Sequence, residues 1–178
     1  VIFNTYDTLI KGSLNFNMNR KEDFTKAILA HRGLLFKVSL MYTENPQDRE
    51  DLYQEIVYQL WKSYDSFNAL SKLSTWMYRV ALNTAIYQLK KSKRTLATTA
   101  IDPQMYHIAE HRDQADEENL KRIYTQIQKL NLLEKGLILL YLEGKSHEEI
   151  SEIIGISKSN VGTRISRIKE KLKTQLTN

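Results

Sequence analysis

The chain has 178 residues, 42% of them hydrophobic and 26% charged, with a formal net charge of +5. That length holds one domain or two small ones, and the positive balance leans towards an acidic partner such as nucleic acid. The absence of cysteine removes disulfides, thiolate metal sites and cysteine nucleophiles together. The strongest apolar run, Leu137 to Leu142, is far shorter than the roughly 20 residues of a membrane-spanning helix, so no membrane insertion is expected.

Residues 1–19 are rich in Asn and small polar residues and have no basic stretch followed by an apolar core; they read as a weakly structured N-terminal extension. From Lys21 to Tyr42 a helical pattern runs through Phe24, Ile28, Leu35, Val38 and Tyr42, weakened at Gly33. Asn45-Pro46 ends it and starts the next helix, Asn45 as cap and Pro46 at the first helical position. That helix, Gln47 to about Tyr64, aligns Leu52, Ile56, Leu60 and Tyr64 on one line with Trp61 alongside, and leaves Asp48, Asp51, Gln54 and Glu55 outside. A short connection leads to a third helix, from Ser71 or Ser74 to Lys93, carrying Trp76, Tyr78, Arg79, Val80, Asn83, Ile86 and Leu89 and ending in a basic run. Between Thr95 and Asp116 the pattern fails, with threonines, a proline and no sustained period; residues 95–116 are expected to be a flexible linker.

Periodicity resumes at Glu117, and LNLLEKGLILLYLEG forms a strongly apolar helix ending at Gly144. In SHEEISEIIGISKSNVGTRISRIKEKLK, Ser146 and Glu149 have the spacing of a capping box, and Ile150, Ile153 and Ile154 share a face. Gly155 can take positive φ at the turn, and Ser157 is placed to cap a second helix striped by Val161, Ile165, Ile168 and Leu172. The other face of that helix carries Lys158, Ser159, Asn160, Thr163, Arg164 and Arg167 among further cations, with Glu170 the only acid. This is a helix-turn-helix whose second helix suits a major groove, its polar N-terminal side chains against base edges and its cations near phosphates. No strand alternation is visible, so the fold class is all-α in two lobes.

Two separated segments together resemble the bacterial RNA polymerase sigma factors of the extracytoplasmic-function (ECF) group, within the sigma-70 family. Asp48 to Arg94, with its acid-Leu-x-Gln-Glu start, its Leu-Trp and its Thr-Trp-x-Tyr-Arg-x-Ala-x-Asn, looks like region 2, and Leu130 to Lys173 looks like region 4. The resemblance implies a region 2 helical bundle over residues 20–94 and a region 4 helix-turn-helix domain over 117–178. It implies partners too: core RNA polymerase, met through the β′ clamp helices and the β flap, promoter DNA, and an anti-sigma factor. Carried over residue by residue, Asp51, Leu52, Gln54 and Glu55, with Trp61 as an aromatic anchor, match the surface that docks the clamp helices. Trp76, Tyr78, Arg79 and Asn83 match the helix that reads the minus-ten element, and Phe67, Asn68 and Ser71 the loop that accepts a flipped base. Opening a duplex requires stacking surfaces for unpaired bases and cations for the displaced backbone, although Trp76 and Val80 fit a core equally well. Ser157, Lys158, Ser159, Asn160, Thr163, Arg164 and Arg167 match the reader of the minus-thirty-five element. The chain departs from the pattern at Leu73 and Ser74, where members commonly have an aromatic and a base, and at Leu82, often a base.

The implied role is a cytoplasmic specificity subunit that directs initiation without chemistry, cofactor or metal of its own. Three other readings exist, the first a sigma-like adaptor that binds polymerase but has lost promoter opening, which the missing cations at Ser74 and Leu82 keep open. A stand-alone helix-turn-helix regulator would need neither the acidic helix around Asp51 nor the aromatic, basic helix around Trp76. A zinc hydrolase would rest on His107-Ile108-Ala109-Glu110-His111, an H-x-x-E-H in the least regular part of the chain.

Overall fold

The computed structural model describes residues 20–95 and 122–177; the N-terminal extension, nearly all of the expected linker and the H-x-x-E-H lie outside them. The described residues form eight α-helices and one 3-10 turn. The first four helices are α1 (20–30), α2 (Arg32–Tyr42), α3 (Pro46–Ser63) and α4 (Leu73–Thr95); the rest are α5 (122–128), α6 (Leu132–Leu142), α7 (His147–Ile154) and α8 (Lys158–Thr177).

The pattern read as one helix from Lys21 to Tyr42 is broken, and at His31 rather than at Gly33. His31 takes φ −113° and ψ 14°, and its Nδ1 meets the Ala27 carbonyl at 2.9 Å while its backbone N–H donates to Ala27 and Ile28. The residue closes α1 against its own last carbonyls. The start of α3 follows the expected chemistry: the Asn45 side chain accepts from the Asp48 N–H at 2.8 Å, and Pro46 follows at the first helical position. Leu52, Ile56 and Leu60 then face inward against Leu35 and Val38 of α2 and Met77, Ala81 and Ala85 of α4 in one apolar core. At the open end of this bundle Arg20 stacks on the Trp61 ring at 4.1 Å and its Nε pairs with Asp65 at 2.7 Å, while Phe24 meets Trp61 and Tyr64 edge-on.

In the second group, Asn131 and Glu134 form a capping box on α6, as Ser146 and Glu149 do on α7. The turn into α8 uses Gly155 at φ 80°, and the Ser151 hydroxyl fastens it by donating to the Ile156 carbonyl at 2.6 Å. Val161, Ile165, Ile168 and Leu172 are buried, the stripe the spacing predicts.

The two groups pack directly against each other. Helix α4 lies along α7, and α2 along α6, so that both contribute to a single apolar cluster.

Candidate nucleic-acid interface

Three surfaces carry the residues singled out from the sequence. On α3, Asp51 and Gln54 are exposed, joined by exposed Asp48 and Glu50, while Glu55 is half-buried and accepts from the Gln59 side chain at 2.8 Å. Leu52 sits on the opposite face, buried in the core, and Trp61 is half-buried between Arg20 and Phe24. The outer face of α3 is therefore a carboxylate-and-amide patch, suited to pairing with arginines on a partner. Leu52 supports that patch from beneath.

Between α3 and α4 the chain turns through Tyr64–Ser66 into an irregular loop. Ala69 takes φ 56°, and the Asn68 side chain accepts from the Leu70 N–H at 3.3 Å. The local bond holds the loop in a turn that leaves Leu70 87% exposed. Beneath it opens a hollow of about 530 Å³ lined by Phe67, Asn68, Ser71, Trp76, Arg79 and Asn83, joined by Ser66, Leu70, Val80 and Glu152. The Phe67 and Trp76 ring centroids lie 5.4 Å apart, and Tyr64 flanks Trp76 at 6.3 Å. An aromatic wall, amide groups and a guanidinium around such a volume suit an unstacked base with its phosphate outside. Trp76 both packs on the core and lines the hollow.

Tyr78 stands apart from the other residues assigned to this helix. It is 2% exposed, and its hydroxyl donates to a Glu143 carboxylate oxygen at 3.3 Å across the junction with the second group. Burial, reinforced by the charge of Glu143, pushes the phenol well above its ordinary range, so it remains a donor. Glu152 and Leu70, by contrast, line the hollow without a local sequence signal; Glu152 belongs to the other group and arrives only through tertiary packing.

The third surface is the solvent side of α8. Ser157 accepts from the Asn160 N–H at 3.3 Å, capping the helix. Ser159 and Asn160 are exposed at its first turn, and the Thr163 hydroxyl turns back to the Ser159 carbonyl. The Arg164 Nε donates to the Asn160 Oδ1 at 2.8 Å, so these two side chains are held as one unit. Lys158 pairs with Glu148 of α7, which holds the Glu148 carboxyl below its usual range, and Arg167 is exposed further along. Polar groups near the helix start with a cation beyond them form the arrangement a major-groove reader needs. Among the described residues no cluster of His, Asp and Glu could hold a metal ion, and no helix is long and apolar enough to cross a membrane.

Comparison with known proteins agrees with this geometry. Residues 27–95 match the Sigma-70 region 2 family and residues 120–172 the Sigma-70, region 4 family. The chain is 31% identical over 135 residues to the RNA polymerase sigma factor SigZ of Bacillus subtilis (strain 168), covering 71% of this chain and 72% of that one. It is 26% identical to SigV of the same organism over 89% of this chain and 96% of that one. The fold resembles that of the sigma factor RpoE in its co-crystal structure with the anti-sigma factor NepR from Bartonella quintana, with a TM-score of 0.72 at 23% identity over 88% of this chain and 98% of that one. It also resembles CnrH in complex with the cytosolic domain of CnrY, with a TM-score of 0.64 at 20% identity over 88% and 89% of the two chains.

Proposed function

This chain belongs to the sigma-70 family of RNA polymerase sigma factors, in the ECF group to which several of its relatives are assigned, and on that premise we propose how its surfaces divide the work of starting transcription. The family's task is to bind core RNA polymerase and direct promoter-specific, DNA-dependent initiation. The observation that carries the division of labour is the presence, in one chain, of an exposed acidic α3 face, an aromatic-walled hollow at the start of α4, and a one-sided basic helix in a helix-turn-helix.

The α3 face, through Asp51, Gln54 and Glu55 with Leu52 and Trp61 holding it in shape, docks on the β′ clamp helices, and the region 4 lobe on the β flap. Phe67, Asn68, Ser71 and Trp76 receive the unpaired minus-ten strand, with Arg79 and Asn83 as its polar contacts. Ser157, Lys158, Ser159, Asn160, Thr163, Arg164 and Arg167 meet the minus-thirty-five element, where bidentate pairs discriminate bases and lysines on phosphate set affinity. Tyr78 serves that surface from behind, by fixing α4. The chain forms and breaks no covalent bonds: it contributes binding energy to melting while the polymerase does the chemistry, in the cytoplasm. An anti-sigma factor is the expected third partner, as NepR is for RpoE.

A stand-alone regulator reading leaves the α3 face and the hollow without a task. The double reversal Asp51→Arg with Gln54→Arg tests the division directly, because both residues are exposed and surface changes of this kind usually alter stability by less than about 0.5 kcal/mol. Co-purification with core polymerase should be lost while the thermal unfolding midpoint stays put. Undiminished capture of core by the folded double variant would refute the assignment of this face.

A further inference from the structure

We propose that Leu70 is a wedge: at the mouth of the hollow it slides into the base stack where paired and unpaired DNA meet, and holds open the gap left by the base that enters the hollow. The inference rests on the reading of the hollow given above. It adds a residue and a step to that reading, the breaking of the stack rather than the capture of the base.

A single exposed leucine is ordinary on a protein surface; what sets this one apart is how it is presented. Leu70 is the most exposed large apolar side chain among the described residues, yet it belongs to the lining of the hollow. It therefore stands at the mouth, with most of its surface in water in the free chain. Its backbone is not relaxed. Ala69, just before it, takes φ 56°, in the left-handed region that disfavours any residue with a Cβ.

That strain is held by bonds on both sides of the tip. The Asn68 side chain accepts from the Leu70 N–H at 3.3 Å. Before the tip, the Phe67 N–H donates to the Tyr64 carbonyl at 3.1 Å and the Ser66 hydroxyl to the Ser63 carbonyl at 2.6 Å. After it, the Trp76 N–H donates to the Lys72 carbonyl at 3.1 Å, and Thr75 is buried in the first turn of α4. Only residues 68–71 lie between these anchors, so the leucine is carried on a short, braced loop. A side chain that is to part a base stack needs such a support, because a yielding one would fold aside.

The chemistry of the mouth fits the task. Pushing an apolar side chain into a base step offsets lost stacking with the burial of that side chain. Behind Leu70, the Phe67 and Trp76 rings, 5.4 Å apart, wall the space where the displaced base can stack in turn. Leu73 and Ser74, in the first turn of α4, carry no charge, so they add no pull on the displaced phosphates. An apolar insertion needs no counter-charge and is not screened by salt.

The test uses the full chain with core polymerase on one promoter fragment recovered from chain-dependent transcript starts. The fragment is prepared as a duplex with 2-aminopurine in the minus-ten element, and as a copy premelted there by mismatches. Leu70→Ser should slow opening of the duplex about ten- to a hundredfold, the worth of burying one leucine side chain, and leave the thermal unfolding midpoint of the free chain in place. Affinity for the premelted copy should fall far less, and Leu70→Met should restore most of the rate. The loss should be the same at low and high salt, since no phosphate contact is removed. Unchanged opening of the duplex would overturn the wedge. Equal losses on the two fragments would do so too, by making Leu70 one more wall of the hollow, as would a loss that disappears at high salt. Phe67→Ala isolates the underlying reading: it should weaken binding to both fragments, and if it weakens neither, the hollow does not receive the strand, whatever Leu70 does. A genomic library without chain-dependent starts removes the promoter-opening role and the wedge with it.

Discussion

Arg164→Ala separates base reading from charge at the recognition helix. The Arg164 Nε is held by the Asn160 Oδ1 at 2.8 Å one turn earlier, an exposed pair that fixes the orientation of both side chains before DNA arrives. If the pair faces bases, removing the guanidinium costs about 1–3 kcal/mol of discrimination, roughly 5- to 150-fold between the preferred and a mismatched upstream element. Because Asn160 loses its orienting partner, Arg164→Ala and Asn160→Ala should not add; the double variant should fall short of the sum by about 0.5–1 kcal/mol. The assay is competitive promoter binding by the complete holoenzyme, repeated over a range of salt. A base contact leaves the dependence of log affinity on log salt nearly unchanged, whereas loss of one phosphate contact lowers its slope by about 1. Additive losses with a reduced slope would refute the base-reading unit, and failure to bind core in a folded Arg164→Ala chain would refute the separation between upstream reading and docking.

Other consequences concern stability. Gly155→Ala forces a side chain onto φ 80° with no heavy atom within 4 Å of the new Cβ, so backbone strain alone acts; a loss of about 1–2 kcal/mol is expected in denaturant unfolding, and a neutral outcome would contradict the turn. Ile56→Ala empties a fully buried site among α2, α3 and α4 and should cost about 2–5 kcal/mol; a loss below about 1 kcal/mol in urea melts would mean that the bundle collapses around the gap. Glu149 is held below its ordinary carboxylate range first by the Ser146 N–H and then by Lys72. A depressed folded value means that its stabilisation is present above the unfolded value and lost as pH falls through the folded one. Acid titration of stability should therefore be shallower in Glu149→Gln than in the parent, and identical slopes would remove the capping box from the account.

How much of this was legible in the sequence differs from element to element. The capping pair Ser146 and Glu149, the turn at Gly155 and the stripe from Val161 to Leu172 are local chemistry, and the structure carries them as read. Asn45-Pro46 behaves likewise. Helical periodicity continues across His31, so the sequence carries no sign of the break there; in the structure the His31 backbone N–H and Nδ1 both engage the Ala27 carbonyl at the end of α1. Tyr78 shares a motif with Trp76, Arg79 and Asn83, yet helical geometry turns it to the inner side of α4, where it meets Glu143. Glu152 in the hollow and Gly136, where α6 meets α2 and α4, carry no one-dimensional signal at all, since their meaning arises when distant helices touch. Leu82 stood out in the sequence only as a missing cation; packing against Gly136 gives the leucine its reason.

The central claim is that this chain brings core polymerase to particular promoters. Purified chain, core polymerase and a library of genomic promoter fragments, with the runoff transcripts sequenced, test it most directly. The account predicts transcript starts that depend on the chain and share two upstream elements, and that weaken when Asp51 and Gln54 are reversed or Arg164 is truncated. Absence of chain-dependent starts, together with no co-purification with core, would contradict it.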